Sequence, residues 1–295
     1  MIKGIHLEPT NKCILKCPRC SRTTMIDKFG IEKWTNKDLN LEHLKQFLDI
    51  DLTGVELLLC GTYGDPIYYN DLFDLIAWSK QQGANVRLVT NGSRRTKEWW
   101  HKLTELLTSS DKVVFSIDGS PENFTNYRVN ADWASIEIGI RVCAASSVTT
   151  RWKYIPFSFN EDTIDQTRSL SESLGIDEFV VLPSDRWEEN DYLRPKDFQG
   201  RRTPGIIQWH NNKSPEIDPQ CGKNDQHYIS AEGYYMPCCY VHDWRFYYKT
   251  KFYKDKQDYD ISKTTISQVL AQEQEFFNTL TEIKPNYCTF NCPKI

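Results

Sequence analysis

Three cysteines fall within the stretch Thr10-Asn11-Lys12-Cys13-Ile14-Leu15-Lys16-Cys17-Pro18-Arg19-Cys20, directly after an extended apolar run. Thiolates are soft ligands, and the spacing Cys-x3-Cys-x2-Cys lets one loop wrap a single centre from three sides. A [4Fe–4S] cube has four irons, so three cysteines leave one iron open to a small molecule. Structural zinc instead takes four protein ligands, and a distant residue such as His6 could complete such a site. Five more cysteines, Cys221, Cys238, Cys239, Cys288 and Cys292, lie near the other end of the chain, where a four-cysteine zinc site is the competing reading. Cys60 and Cys143 fall in an expected strand and an expected helix, where a cysteine serves as a small buried hydrophobe.

The elements that must position these residues follow from hydrophobic spacing. Strands are expected over Ile2–Pro9, Val55–Cys60, Val86–Thr90, Lys112–Ile117, Trp152–Phe159 and Phe179–Leu182. Between them, Leu41, Leu44, Phe47 and Leu48 mark one half-buried helix face and Leu72, Leu75, Ile76 and Ser79 another. Further helices are expected around 95–108, 134–146 and 162–174, the last ending at Leu174-Gly175. Such alternation means parallel strands joined by right-handed crossovers, an α/β sheet that is open or curled into a partial barrel. Active sites of such sheets lie at the carboxyl ends of the strands. Cys13, Gly61-Thr62-Tyr63-Gly64-Asp65-Pro66, Asn91-Gly92 and Asp118-Gly119 all follow strand ends.

Residues 184–220 are polar and without period, and read as a linker or substrate-covering loop, with Arg186–Gln208 the place to look for substrate contacts. Beyond them come a hairpin over Tyr228–Met236 and one amphipathic helix carrying Ile266, Val269, Leu270, Phe276, Phe277 and Leu280. The formal net charge of −4 gives no sign of a nucleic-acid surface. Mean hydropathy is −0.58, and no apolar run approaches the ~20 residues that span a bilayer. Met1-Ile2-Lys3 leads into a strand and not a signal peptide, so a cytoplasmic protein away from membranes is expected. In a reducing compartment clustered cysteines bind metal more readily than they pair.

These residues resemble the radical S-adenosylmethionine (SAM) enzymes, with Cys13, Cys17 and Cys20 in the cluster motif. The resemblance implies a partial (β/α)6 TIM-like barrel over residues 1–183, and a [4Fe–4S] cluster whose open iron chelates SAM. One electron from that cluster then yields a 5′-deoxyadenosyl radical that abstracts hydrogen from a peptide or small-molecule substrate. Gly64-Asp65-Pro66 resembles the family's Gly-Gly-Glu-Pro segment at the methionine amino group, with Tyr63 and Asp65 in place of the usual Gly and Glu. Read alone, it is an ordinary turn after a strand. Ser116 sits in a strand-four signature that reaches the ribose or carboxylate, and Arg128 matches an arginine that pairs with that carboxylate. Arg128 could equally be a plain surface cation. Asn160 matches a polar position facing the ribose. Arg19 stands where the family often has an aromatic residue beside the adenine, and could stack by its flat face.

The spacing Cys221-x11-Gly233-x4-Cys238 resembles the opening of the SPASM and twitch extensions, which carry auxiliary clusters. The resemblance implies a small C-terminal α+β twitch-like domain over 221–295, with one auxiliary [4Fe–4S] cluster on Cys221, Cys238, Cys288 and Cys292. Neighbouring residues of a strand point to opposite faces, so only one of Cys238 and Cys239 is expected as a ligand, and spacing selects Cys238. A fully ligated cluster has no iron for substrate and would carry an electron away, which implies a net oxidation. A low-potential donor such as flavodoxin or ferredoxin is implied by family analogy. The other classes are a non-catalytic iron–sulfur electron carrier and a zinc-stabilised binding module.

Overall fold

The structure, a computed structural model, describes residues 2–184, 190–196, 216–219, 221 and 226–292. The chain packs as two compact units, neither continuous in sequence: Met1–Lys12, Trp34–Asn85 and Trp209–Ile295 form the first, Cys13–Lys33 and Val86–Gln208 the second. The expected division into 1–183 and 221–295 differs from this. The reason lies in the first unit, where the C-terminal segment adds a strand beside the first strand of the chain. Most of the expected loop Arg186–Gln208 lies outside the described residues.

In the first unit β1 (Gly4–Leu7) and β2 (Glu56–Leu59) pair in parallel, and β7 (Gln226–Ile229) pairs in parallel with the other edge of β1. β8 (Tyr235–Met236) runs antiparallel to β7, closing the expected hairpin. Ile5, Leu7, Leu57 and Leu59 are fully buried. Covering helices include α2 (Leu41–Phe47), capped by the Asn40 side chain, and α3 (Leu72–Gln81).

The second unit holds α1 (Ser21–Phe29), α4 (Lys97–Leu106), α5 (Trp133–Ala144) and α6 (Ile164–Ser173). Its strands β3 (Asn85–Thr90, all but its first residue in this unit), β4 (Lys112–Ser116), β5 (Thr149–Tyr154) and β6 (Glu178–Val181) are parallel, in the order β6-β5-β4-β3. Thus β1 to β6 alternate with helices in chain order, the α/β pattern expected. The fifth strand starts and ends earlier than expected, and Ile155–Phe159 turns around Asn160 instead. Gly139 lets α5 approach α4, because a Cβ there would lie 2.5 Å from the Trp100 ring.

The single amphipathic helix expected over 266–280 is two. The first unit continues with a one-turn α7 (Lys251–Lys254), then α8 (Ile266–Gln272) and α9 (Gln274–Ile283), broken at Glu273. That carboxylate is 2% exposed, accepts a hydrogen bond from Tyr259 Oη at 2.7 Å and pairs with Lys251. A short helix α10 (Asn286–Asn291) follows. Among the described residues no helix is long and apolar enough to cross a membrane.

Candidate functional site

Cys13, Cys17 and Cys20 all lie in the second unit, on the loop that precedes α1. Arg19 takes a positive φ of 74°, an uncommon conformation for a residue with a side chain. It lets the chain fold back, so that Cys20 N–H donates to Cys17 O at 3.2 Å and Cys20 becomes the N-cap of α1. The Arg19 guanidinium is held at 2.7 Å by Asp191, whose side chain is fully buried. Lys16 N–H donates to Val129 O, tying the loop to the segment that carries Arg128. Cys17 packs in an apolar cluster with Leu15, Tyr127, Phe157 and Leu193, and Cys13 and Cys20 lie against it.

Two polar side chains face these sulfurs. Asn91 Nδ2 donates to Cys13 Sγ at 3.7 Å, and the charge of Arg128 acts on the Cys17 thiol. Burial pushes that thiol up to about 11, with the Arg128 charge pulling the other way. A half-buried cation beside one sulfur and an amide aimed at another suit thiolates, so this donor set fits a thiolate-bound cluster. Arg128 also holds Asp118 through Nε and Nη2, both at 2.7 Å, and Asp118 is fully buried. One edge of the guanidinium that matched a SAM-carboxylate partner is therefore held by a protein carboxylate.

Asn160 requires a correction. It is 1% exposed, gives its amide hydrogens to Asp118 O and Ile155 O, and accepts from Phe157 N. With both donor hydrogens spent on backbone, it shapes the turn after β5 and has no donor left for a ribose. Ser116 ends β4 and is half-buried.

In the first unit the Gly61–Pro66 loop is set by contacts that only glycine permits. A Cβ on Gly64 would lie 1.9 Å from Thr10 O and 2.7 Å from Asn11 Cα. Asp65 N–H donates to Lys12 O at 2.8 Å, the residue bonded to Cys13, while Asp65 Oδ1 caps the turn at Ile67 N–H. The loop is anchored from beneath by Glu8, which the sequence reading passed over. Its carboxylate is fully buried and accepts from the amides of Tyr63 (2.6 Å) and Gly64 (3.1 Å) and from Tyr228 Oη (2.6 Å). His242 Nδ1 stands 2.9 Å from the same hydroxyl. Burial alone would raise the Glu8 carboxyl; the hydrogen bond and charge of His242, with Tyr228 and Tyr63, leave it below its ordinary value. A lone acid at the carboxyl end of an apolar strand was the available signal.

The late cysteines meet in the first unit. Cys221, Cys238, Cys239, Cys288 and Cys292 line one cavity of about 60 Å³ with His6, His227 and Tyr287. Cys288 and Cys292 lie one helical turn apart, joined by a backbone hydrogen bond of 2.7 Å. Cys238 shares a hydrogen bond with Cys221, which with burial raises its thiol. The argument for choosing between Cys238 and Cys239 fails: β8 ends at Met236, both cysteines occupy the turn beyond it, and both line the cavity. His6 belongs to this cavity and bonds Cys60 O at 2.5 Å. Cys143 is buried in α5 as expected. None of the ten cysteines is in a disulfide. Among the described residues no three His, Cys, Asp or Glu side chains are gathered tightly enough to hold a single metal ion.

No family model matches the chain. It is 25% identical to the AdoMet-dependent heme synthase of Methanosarcina barkeri over 201 residues, 66% of this chain and 55% of that protein. To the PqqA peptide cyclase of Streptomyces rochei it is 28% identical over 193 residues, 63% of this chain and 47% of that one. The fold matches native anSMEcpe with bound AdoMet at a TM-score of 0.61 and 13% identity, over 98% of this chain and 88% of that one. In sequence and in fold the chain is similar to radical SAM enzymes. Its α/β fold is that of the radical SAM partial barrel. The chain spans about half the length of these two curated relatives.

Proposed function

We propose that this chain reductively cleaves SAM and abstracts hydrogen from a peptide or small-molecule substrate, in a net oxidation. The observation that carries the reading is the Cys13–Cys20 loop, three thiols on one tight turn walled by apolar side chains. A [4Fe–4S] cluster on these thiolates supplies, when bound, an open iron for SAM and the electron that splits it to a 5′-deoxyadenosyl radical. The chain's own work is holding and shielding. Leu15, Tyr127, Phe157 and Leu193 keep water from Cys17. Gly64, Asp65 and Pro66 are assigned to the methionine amino group through backbone carbonyls, on a loop fixed by Glu8. Ser116 is assigned to the ribose or carboxylate, Arg19 to the adenine face, and the N–H groups that Arg128 has left beyond Asp118 to the carboxylate.

Cys221, Cys238, Cys288 and Cys292 are assigned to one auxiliary [4Fe–4S] cluster, supported by the cavity they share. Four protein ligands would leave such a cluster no open iron for substrate, and it would supply an electron acceptor. The two curated relatives are named for a peptide cyclase and a heme synthase, so both substrate classes stay within the proposal. Flavodoxin or ferredoxin is the proposed class of electron donor.

The test is anaerobic reconstitution, counting iron and sulfide and then reducing with SAM present. Release of 5′-deoxyadenosine that disappears in Cys17→Ala supports the reading. Reducible clusters without SAM cleavage would make the chain an electron carrier, and stoichiometric zinc without sulfide would make it a binding module.

A further inference from the structure

We infer that Asn91, by donating an N–H hydrogen bond to the Cys13 sulfur, and Arg128, by the charge it holds toward Cys17, raise the reduction potential of the cluster held by Cys13, Cys17 and Cys20. This rests on the cluster reading above and goes beyond it, because it gives Arg128 a role toward the protein's thiolates and Asn91 a role of its own.

Reduction adds one negative charge to a cluster and its thiolates. Hydrogen-bond donors and positive charge directed at the sulfurs favour the more negative form, and so raise the potential. The fold fixes both donors. Asn91 is 4% exposed, and its Oδ1 accepts from Ser93 N–H at 2.9 Å. That bond sets the amide's orientation and leaves Nδ2 toward Cys13 Sγ at 3.7 Å. Arg128 is held from its backbone, with its N–H donating to Phe124 O at 2.8 Å. Its side chain is gripped at 2.7 Å by Asp118, which itself accepts from Ile155 N–H at 2.9 Å. So held, the guanidinium charge acts on the Cys17 sulfur. Asp118 is thus a positioning residue: it aims the fork and offsets part of its charge. The apolar wall around Cys17 makes both contacts stronger than they would be in water.

The experiment is an EPR-monitored redox titration of the reconstituted full chain, following the cluster signal that changes when SAM is added. Asn91→Ala is expected to shift the reduction equilibrium about tenfold toward the oxidised cluster, or ~59 mV for a one-electron couple. Arg128→Met is expected to shift it further, and Arg128→Lys, which keeps the charge and loses the fork, to recover part of the difference. Arg128→Met leaves a buried carboxylate unpaired, so the double variant Arg128→Met/Asp118→Asn serves where the single one does not fold. Wild-type potentials in Asn91→Ala and in the arginine variants overturn the inference and leave the SAM reading intact. Failure of the wild-type chain to assemble a cluster on these cysteines overturns the reading beneath it.

Discussion

The two groups of cysteines offer the same ligand atom in opposite electrical surroundings. At the early loop a guanidinium and a carboxamide face the sulfurs, and the Cys17 thiol is raised by burial against the pull of Arg128. In the late cavity the thiols raise one another. Cys238 is raised by its bond with Cys221 and by burial, Cys239 is pushed to about 12 by burial and by Cys60, and Cys288 to about 12 by burial and by Cys221. No lysine or arginine is among the described residues lining that cavity. On the proposed reading the early loop would stabilise added negative charge, whereas an incoming metal would have to displace the protons of the late cavity. A site proposed to accept an electron readily and a site proposed to be closed by its own ligands call for this difference.

The largest effect that could break the contrast is loss of one centre at a time. Cys17→Ala is expected to abolish 5′-deoxyadenosine release and remove ~4 irons per chain, while Cys288→Ala removes a similar ~4 yet leaves SAM cleavage running without product. Iron analysis and product assay of both variants read this out. If Cys288→Ala also stopped SAM cleavage, the two regions would act as one centre. Next in size is Glu8→Ala. It strands the amides of Tyr63 and Gly64 and the Tyr228 hydroxyl in a buried site, at a cost of ~3–5 kcal/mol. Glu8→Gln, which keeps an acceptor, costs ~1–3 kcal/mol. Urea unfolding of both variants measures the two losses.

The same contrast decides what could be read from sequence. The early cysteines are legible because their ligand spacing is local, and the strands and helices of the second unit follow their hydrophobic periods closely. The late cavity was legible as a count of cysteines but not as a geometry. Whether Cys238 and Cys239 point apart depends on whether they lie in a strand or the turn beyond it, and β8 is only two residues long. The break of the terminal helix at Glu273 was hidden because its partners, Tyr259 and Lys251, come from another segment. Asn160 shows the converse case. Its position matched a cofactor contact, while its environment uses both amide hydrogens on backbone. Glu8 and its partners Tyr228 and His242 join residues more than two hundred positions apart, a pairing that no local pattern carries.

Smaller effects sharpen the role of the Gly61–Pro66 loop. Gly64→Ala must move the backbone at Thr10, because the added Cβ would overlap its carbonyl oxygen at 1.9 Å. The expected loss is ~1–3 kcal/mol in urea unfolding, accompanied by weaker SAM binding in calorimetry. Alanine at Gly54, whose Cβ would meet nothing within 4 Å but whose φ of +75° disfavours a side chain, gives the cost of backbone conformation without crowding for comparison.

The last effect is a pH dependence of stability in the metal-free chain, and its sign follows from two groups of the first unit. Burial holds His6 below its ordinary 6.5, with its bond to Cys60 O and the charge of Glu8 acting against that shift. The unfolded chain therefore binds this proton first, and stability falls as pH drops below 6.5 toward the folded value. Glu8 is also lowered, through His242, Tyr228 and Tyr63 against the effect of burial. Its contribution is present above 4.5 and is lost as pH falls through its folded value. Melting temperatures recorded between neutral and acid pH should thus descend in two stages. His6→Gln should remove the upper stage and spare the lower one, whereas Glu8→Gln should remove the lower. An unchanged upper stage in His6→Gln would mean that the titrating group lies elsewhere in the chain.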